Sequence, residues 1–105
     1  LYEARPEIAR ADFISDKNLG IVREGMREAV LVGSARRLAD LPVAVAGKTG
    51  TAQSGTANSH AWFASFAPYK DPSIVLVILV EHGGEGSQAA APVAQEVYEW
   101  YFGAY

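Results

Sequence analysis

The stretch HAWFASFAPYKDPSIVLVILVE, residues 60–81, decides the fold. Its first part mixes aromatic with small apolar residues and closes at Pro68, and its last part is an uncharged run of Ile, Val and Leu. β-Branched and aromatic residues suit pleated strands, and the Tyr-Lys-Asp-Pro joint between the two parts has turn chemistry. Two strands are predicted. The continuous apolar character of the second predicts burial on both of its faces.

Working outward, residues 41–53 are rich in Val, Ala and Thr with period-two alternation, and SGTANS separates them from His60. A third strand is therefore expected, paired antiparallel through a turn in a three-stranded meander. Upstream lies SDKNLGIVREGMREAVLVG, residues 15–33. Ser15 or Asp16 can cap a helix start, and Gly33 can take the left-handed position past its end. Leu19, Val22, Met26, Ala29, Val30 and Gly33 fall on one side at helical spacing, with Arg23, Glu24, Arg27 and Glu28 on the other. An amphipathic helix with a solvated charged face is expected. After the turn-like HGGEGS, read as a flexible connection, a helical pattern resumes with Val93, Val97 and Tyr101 on one face. Pro92 is tolerated only near a first turn, which places the start at Ala89 to Ala91. Tyr98 and Tyr101 are expected to pack on the sheet. Residues 1–13 read as a connector. The fold class is α+β, a three-stranded antiparallel sheet flanked by helices.

With 105 residues, half of them hydrophobic and a fifth charged, the chain fits one globular core. A net charge of −3 with dispersed Lys and Arg excludes an electrostatic nucleic-acid footprint. There is no cysteine, so disulfides and thiolate metal sites are excluded. No apolar run approaches the length of a membrane span, and LYEARPEIAR is too charged for a signal peptide. His60 and His82 have no further His, Cys or carboxylate at metal spacing and read as structural, so neither a metal nor a cofactor is expected.

Lys48 is the one charged residue between Asp40 and Lys70, in VAVAGKTGTAQ, residues 43–53. An ammonium inside a sheet is costly to desolvate unless it reaches water or is held for a purpose. Gly47 and Gly50 thin the strand where a ligand or another backbone comes close. Thr49 and Thr51 add hydroxyls, and an edge strand adds free amides. Together these are the parts of a wall that binds a carboxylate or stabilises an oxyanion. In an ideal strand Lys48 and Gly50 face one way and the threonines the other, so a ligand using all of them must lie along the edge.

KTGTA resembles the third motif of the penicillin-binding protein and serine β-lactamase superfamily, whose other motifs are S-x-x-K and S-x-N. NLGIVREGMREAV, AGKTGTAQ, FASFAPYKDPSIVLVILVEHGGEGS and the alanine-rich start of the last helix are similar to the C-terminal part of class B transpeptidases. The likeness is to the elongation type, penicillin-binding protein 2, and runs from about Ile14 onward. The resemblance implies that residues 1–105 are the C-terminal portion of a transpeptidase domain, in an enzyme that crosslinks peptidoglycan stem peptides and is acylated by penicillin and other β-lactams. It implies that Lys48 positions the proton relay, that Thr49 and Thr51 hold the terminal carboxylate, that Thr51 lends its N–H to the oxyanion hole, and that Gly50 gives clearance. It also implies a membrane anchor, the periplasmic side of a bacterial inner membrane, a membrane glycosyltransferase partner and the missing N-terminal part of the domain.

One departure is decisive: the chain contains neither S-x-x-K nor S-x-N. The nucleophile is absent, and the chain alone is expected to be inactive. The same superfamily also contains β-lactamases and β-lactam sensors, and a non-catalytic peptide- or protein-binding module would lack the serine as well.

Overall fold

The computed structural model describes residues 5, 7–55 and 58–103. Helix α1, Asp16–Leu31, leads through a short 3-10 turn, Arg36–Leu38, to strands β1, Ala46–Ala52, β2, His60–Ala67, and β3, Ile74–Val80, and then helix α2, Gly86–Phe102. The sheet is an antiparallel meander in the order β1-β2-β3, as the strand and turn pattern predicts. Residues 5 and 7–13 of the connector are exposed and carry no regular structure; the rest of it, like residues 56–57 of the SGTANS turn, lies outside the described residues.

α1 starts where Ser15 accepts from the Asn18 backbone N–H at 3.2 Å. A cap of this type contributes about 1 kcal/mol. The helix departs from expectation on both of its sides. Val30 is buried, but Leu19 and Val22 are exposed, because the first turns face the sheet across an open apolar cleft. That cleft, about 300 Å³, lies between Leu19, Val22, Arg23 and Met26 of the helix and Phe66, Pro72 and Val75. The arginines are not simply solvated. Arg23 donates to the Tyr69 carbonyl at 2.7 Å and lies over the Phe66 ring, and Arg27 donates to the Val45 carbonyl at 2.6 Å. Their length lets the guanidinium reach backbone that leaves the sheet with unpaired carbonyls.

β3 is not buried on both faces. Ile74, Leu76, Ile78 and Val80 turn toward the core, whereas Val75 and Val77 stay 69 % and 63 % exposed. A meander edge has a helix on only one face here: α2 covers the side of Ala61, Phe63 and Ala67, and α1 reaches only as far as the Phe66 and Val75 end of the other.

α2 begins at Gly86, earlier than Pro92 suggests, and carries Pro92 inside the helix. Its buried face is Ala90, Ala91, Ala94 and Tyr98, not Val93, Val97 and Tyr101. Small residues let the helix axis approach the sheet, so the larger Val93 and Tyr101 are turned outward. Tyr98 packs on the sheet as expected, but Tyr101 does not and is 49 % exposed. The fully buried Tyr98 hydroxyl meets the Ser65 hydroxyl of β2 at 2.9 Å, which satisfies both polar groups inside the core.

Candidate functional site

β1 is an edge of the sheet among the described residues, and it carries Lys48, Thr49, Gly50 and Thr51 in consecutive positions. Its register places Lys48 opposite Ala64, Thr49 opposite Phe63, Gly50 opposite Trp62 and Thr51 opposite Ala61. Directly paired residues share a face, so Lys48 lies on the side of the exposed Trp62 and the threonines on the side of the buried Phe63 and Ala61. The alternation read from the sequence therefore holds, and only a ligand lying along the edge meets both sets.

Lys48 is exposed, and its ammonium donates to the carbonyl of Thr49 at 2.6 Å. The strand thus keeps the charge in water, where it costs little to maintain. Thr49 is half-buried and Thr51 exposed. The Thr49 hydroxyl lies 2.7 Å from the Ser34 hydroxyl, in the joint that follows α1. The Ser34 and Thr49 hydroxyls on one face and the Lys48 ammonium on the other thus flank an open strand edge, and a carboxylate lying along that edge can take charge-assisted hydrogen bonds.

The two glycines of the run have different causes. A Cβ on Gly47 would stand 2.5 Å from the Phe63 ring, so Gly47 makes room for a core side chain and not for a ligand. A Cβ on Gly50 would meet only the Trp62 Cβ, at 3.2 Å, so that face of β1 is nearly open; on the opposite face the Gly50 backbone lies against Gly86 at the start of α2, where a Cβ on Gly86 would crowd it. Gly86 belongs to HGGEGS, whose first residues are hydrogen-bonded to the start of β2. Gly84 donates to Ser59 O at 2.9 Å, and the His82 N–H donates to His60 Nδ1 at 3.0 Å. The two imidazole rings are 4.7 Å apart, a structural pairing at the end of the β2–β3 hairpin. Among the described residues no group of three or more His, Cys, Asp or Glu could hold a metal ion.

Ser34, Arg27 and Gly86 are missed by sequence reasoning. Ser34 is an ordinary polar residue in a joint, and only the turn-back of the chain beneath β1 brings it to Thr49. Arg27 sits on a helix face that periodicity assigns to solvent, though its reach to Val45 O fixes the entry to β1. Gly86 could have been suspected as the last of several closely spaced glycines that stop where a helical pattern starts.

Residues 3–99 match the model of the penicillin binding protein transpeptidase domain. The peptidoglycan D,D-transpeptidase MrdA of Haemophilus influenzae is 39 % identical to this chain over an alignment covering 66 % of it and 13 % of the relative. The structure of Pseudomonas aeruginosa penicillin-binding protein 2, solved in complex with WCK 5153, superposes with a TM-score of 0.82 at 34 % identity. It covers 97 % of this chain and 24 % of that one. The ceftriaxone acyl-enzyme complex of Mycobacterium tuberculosis penicillin-binding protein A gives a TM-score of 0.72 at 34 % identity, over 82 % of this chain and 21 % of that one. The chain spans about an eighth of the curated relative's length and a quarter or less of the solved chains. With nearly all of its residues matched to one domain model and its sheet and helices superposed on those structures, the chain belongs to the penicillin-binding protein transpeptidase family.

Proposed function

We propose that the protein carrying this chain is a peptidoglycan D,D-transpeptidase of the elongation type, which crosslinks stem peptides through a serine acyl-enzyme and is acylated by penicillin and other β-lactams. The observation that carries this reading is the Lys-Thr-Gly-Thr run on an open sheet edge, with the Ser34 and Thr49 hydroxyls 2.7 Å apart on one face and an exposed ammonium bonded to the Thr49 carbonyl on the other. Transfer from a peptide ending in a free carboxylate requires an anchor for that carboxylate and donors for the oxyanion that forms at the attacked carbonyl. Thr49 and Thr51 supply the anchor, the Thr51 N–H lends itself to the oxyanion, Gly50 leaves clearance, and Lys48 biases the proton relay with its charge. Residues 1–105 form the C-terminal portion of the transpeptidase domain. The serine nucleophile and its lysine are assigned to sequence outside these residues, since the chain has no S-x-x-K.

The reading places the enzyme on the outer side of a bacterial inner membrane, working with a membrane glycosyltransferase that polymerises glycan. Among the described residues no helix is long and apolar enough to cross a membrane, so the anchor too is assigned elsewhere. The test is intact-mass spectrometry after incubation with a penicillin, on the 105-residue chain and on the full-length protein side by side. Gain of one opened β-lactam by the full-length protein alone is the expected result. Specific acylation of the short chain would overturn the placement of the nucleophile, and acylation of neither would replace the enzyme by a non-catalytic peptide-binding module.

A further inference from the structure

Helix α2 starts directly against the Lys-Thr-Gly run. A Cβ built on Gly86 would stand 2.5 Å from the Gly50 carbonyl oxygen, 2.9 Å from the Gly50 nitrogen, and closer still to the Trp62 carbonyl oxygen. Gly50 and Trp62 are cross-strand partners, so the first residue of the helix rests on the backbone of one rung of the β1–β2 ladder. No rotatable side chain lies between them, and nothing can swing aside to admit a methyl group. The two sides of this contact differ in how firmly they are held. Ala90, Ala91, Ala94 and Tyr98 are fully buried against the sheet, and the Ser65–Tyr98 hydrogen bond ties the helix to the central strand. β1 is an edge among the described residues and has a partner strand on one side only. A methyl group at Gly86 presses on both strands of this rung; β2 is held on both sides, so its Trp62 carbonyl lifts the helix start, while at Gly50 it is the edge strand that gives more readily. Gly83, three residues earlier, is crowded as well, but by its own neighbour Val80, and has no such lever on β1.

We propose that Gly86 is a positioning residue for residues 49–51: its lack of a side chain sets how deeply the edge of β1 is seated, and hence where the threonine hydroxyls and the Thr51 N–H stand. This rests on the transpeptidase reading above. Real Cβ contacts do not fall below 3.0 Å, so going from 2.5 Å to that limit changes the spacing between the helix start and the Gly50 backbone by about 0.5 Å or more in Gly86→Ala, beyond which the tighter overlap on the Trp62 carbonyl must also be relieved. Because a misplacement of about 1 Å can cost ~100-fold in rate, the expected loss is about tenfold or more.

The test uses the full-length protein and compares acylation by a penicillin with acylation by its methyl ester. The control is Ala94→Gly, which loosens the same buried helix without adding an atom against β1. Gly86→Ala is expected to slow acylation by the free acid about tenfold or more and to shrink the preference for acid over ester, at a thermal midpoint no lower than the control's. Unchanged acylation, or a fall matching the control with the acid preference intact, would overturn the proposal. If Gly86→Ala folds poorly it is made together with Gly25→Ala, a helical and exposed position where a Cβ meets nothing within 4 Å. A wild-type protein that takes up no β-lactam would instead overturn the transpeptidase reading itself, which separates the two failures.

Discussion

Tyr98→Phe removes one oxygen from the centre of the core, and its cost follows from what that oxygen leaves behind. Ser65 is 2 % exposed and the partner of its hydroxyl, 2.9 Å away, is the Tyr98 hydroxyl. A buried hydroxyl stripped of its partner costs about 1–3 kcal/mol, whereas a net hydrogen bond contributes only about 0.5–1.5 kcal/mol. Tyr98→Phe is therefore expected to destabilise by about 1–3 kcal/mol, and adding Ser65→Ala is expected to restore much of the loss by removing the orphaned group. Urea unfolding of the four species of this cycle measures the coupling. Alkaline pH gives an independent arm. Burial raises the Tyr98 phenol above its ordinary value of 10.0, with the Ser65 hydrogen bond pulling the other way. Below pH 10 the folded and unfolded phenols are both protonated, and the full contribution is present. Above it the unfolded phenol ionises first, so stability falls as pH rises toward the folded value, and Tyr98→Phe should flatten that fall. Additive single and double substitutions, or an alkaline limb unchanged in Tyr98→Phe, would refute the reasoning.

Gly47→Ala drives a methyl into the Phe63 ring and is expected to cost about 1–3 kcal/mol by overpacking, read as a lowered thermal midpoint. Arg27→Met keeps the apolar stem but loses the charge-assisted bond to Val45 O, and about 1.5–3 kcal/mol of stability is expected to go with it in denaturant unfolding. Lys48→Ala, at an exposed position, is expected to change stability by less than about 0.5 kcal/mol while greatly slowing acylation in the full-length protein. Thr49→Val is expected to weaken binding of carboxylate-bearing β-lactams more than of their esters, as competition with a fluorescent penicillin will show.

Strand order, β2, β3 and the span of α1 were legible because each is carried by local chemistry: branched residues, proline-bounded turns and the Ser15 cap. The errors have a common cause in tertiary contact. Periodicity put Arg23 and Arg27 in solvent, but it cannot see that carbonyls at Val45 and Tyr69 lie within reach of a long side chain. Pro92 suggested a late start for α2 because a proline interrupts helix bonding, yet Gln88 and Ala89 already donate to the Glu85 carbonyl, and Gly86 seats this earlier turn on the backbone of Gly50 and Trp62. The candidate site divides in the same way. Lys48 to Thr51 stand out as a charge among glycines, while Ser34 and Gly86 are ordinary in the sequence and become part of the site only by crossing the chain at Thr49 and Gly50.

The outward row of Val75, Val77 and Leu79 makes β3 the chain's main liability in solution. Ile74–Val80 holds seven residues without a charge, a glycine or a proline, the composition from which stacked cross-β assemblies form. Lys70, Asp71 and Pro72 stand just before it and Glu81 just after it, in the gatekeeper positions that interrupt such stacking. Their charges make the colloidal behaviour of the 105-residue piece dependent on salt, so low protein concentration and low ionic strength favour keeping it dispersed.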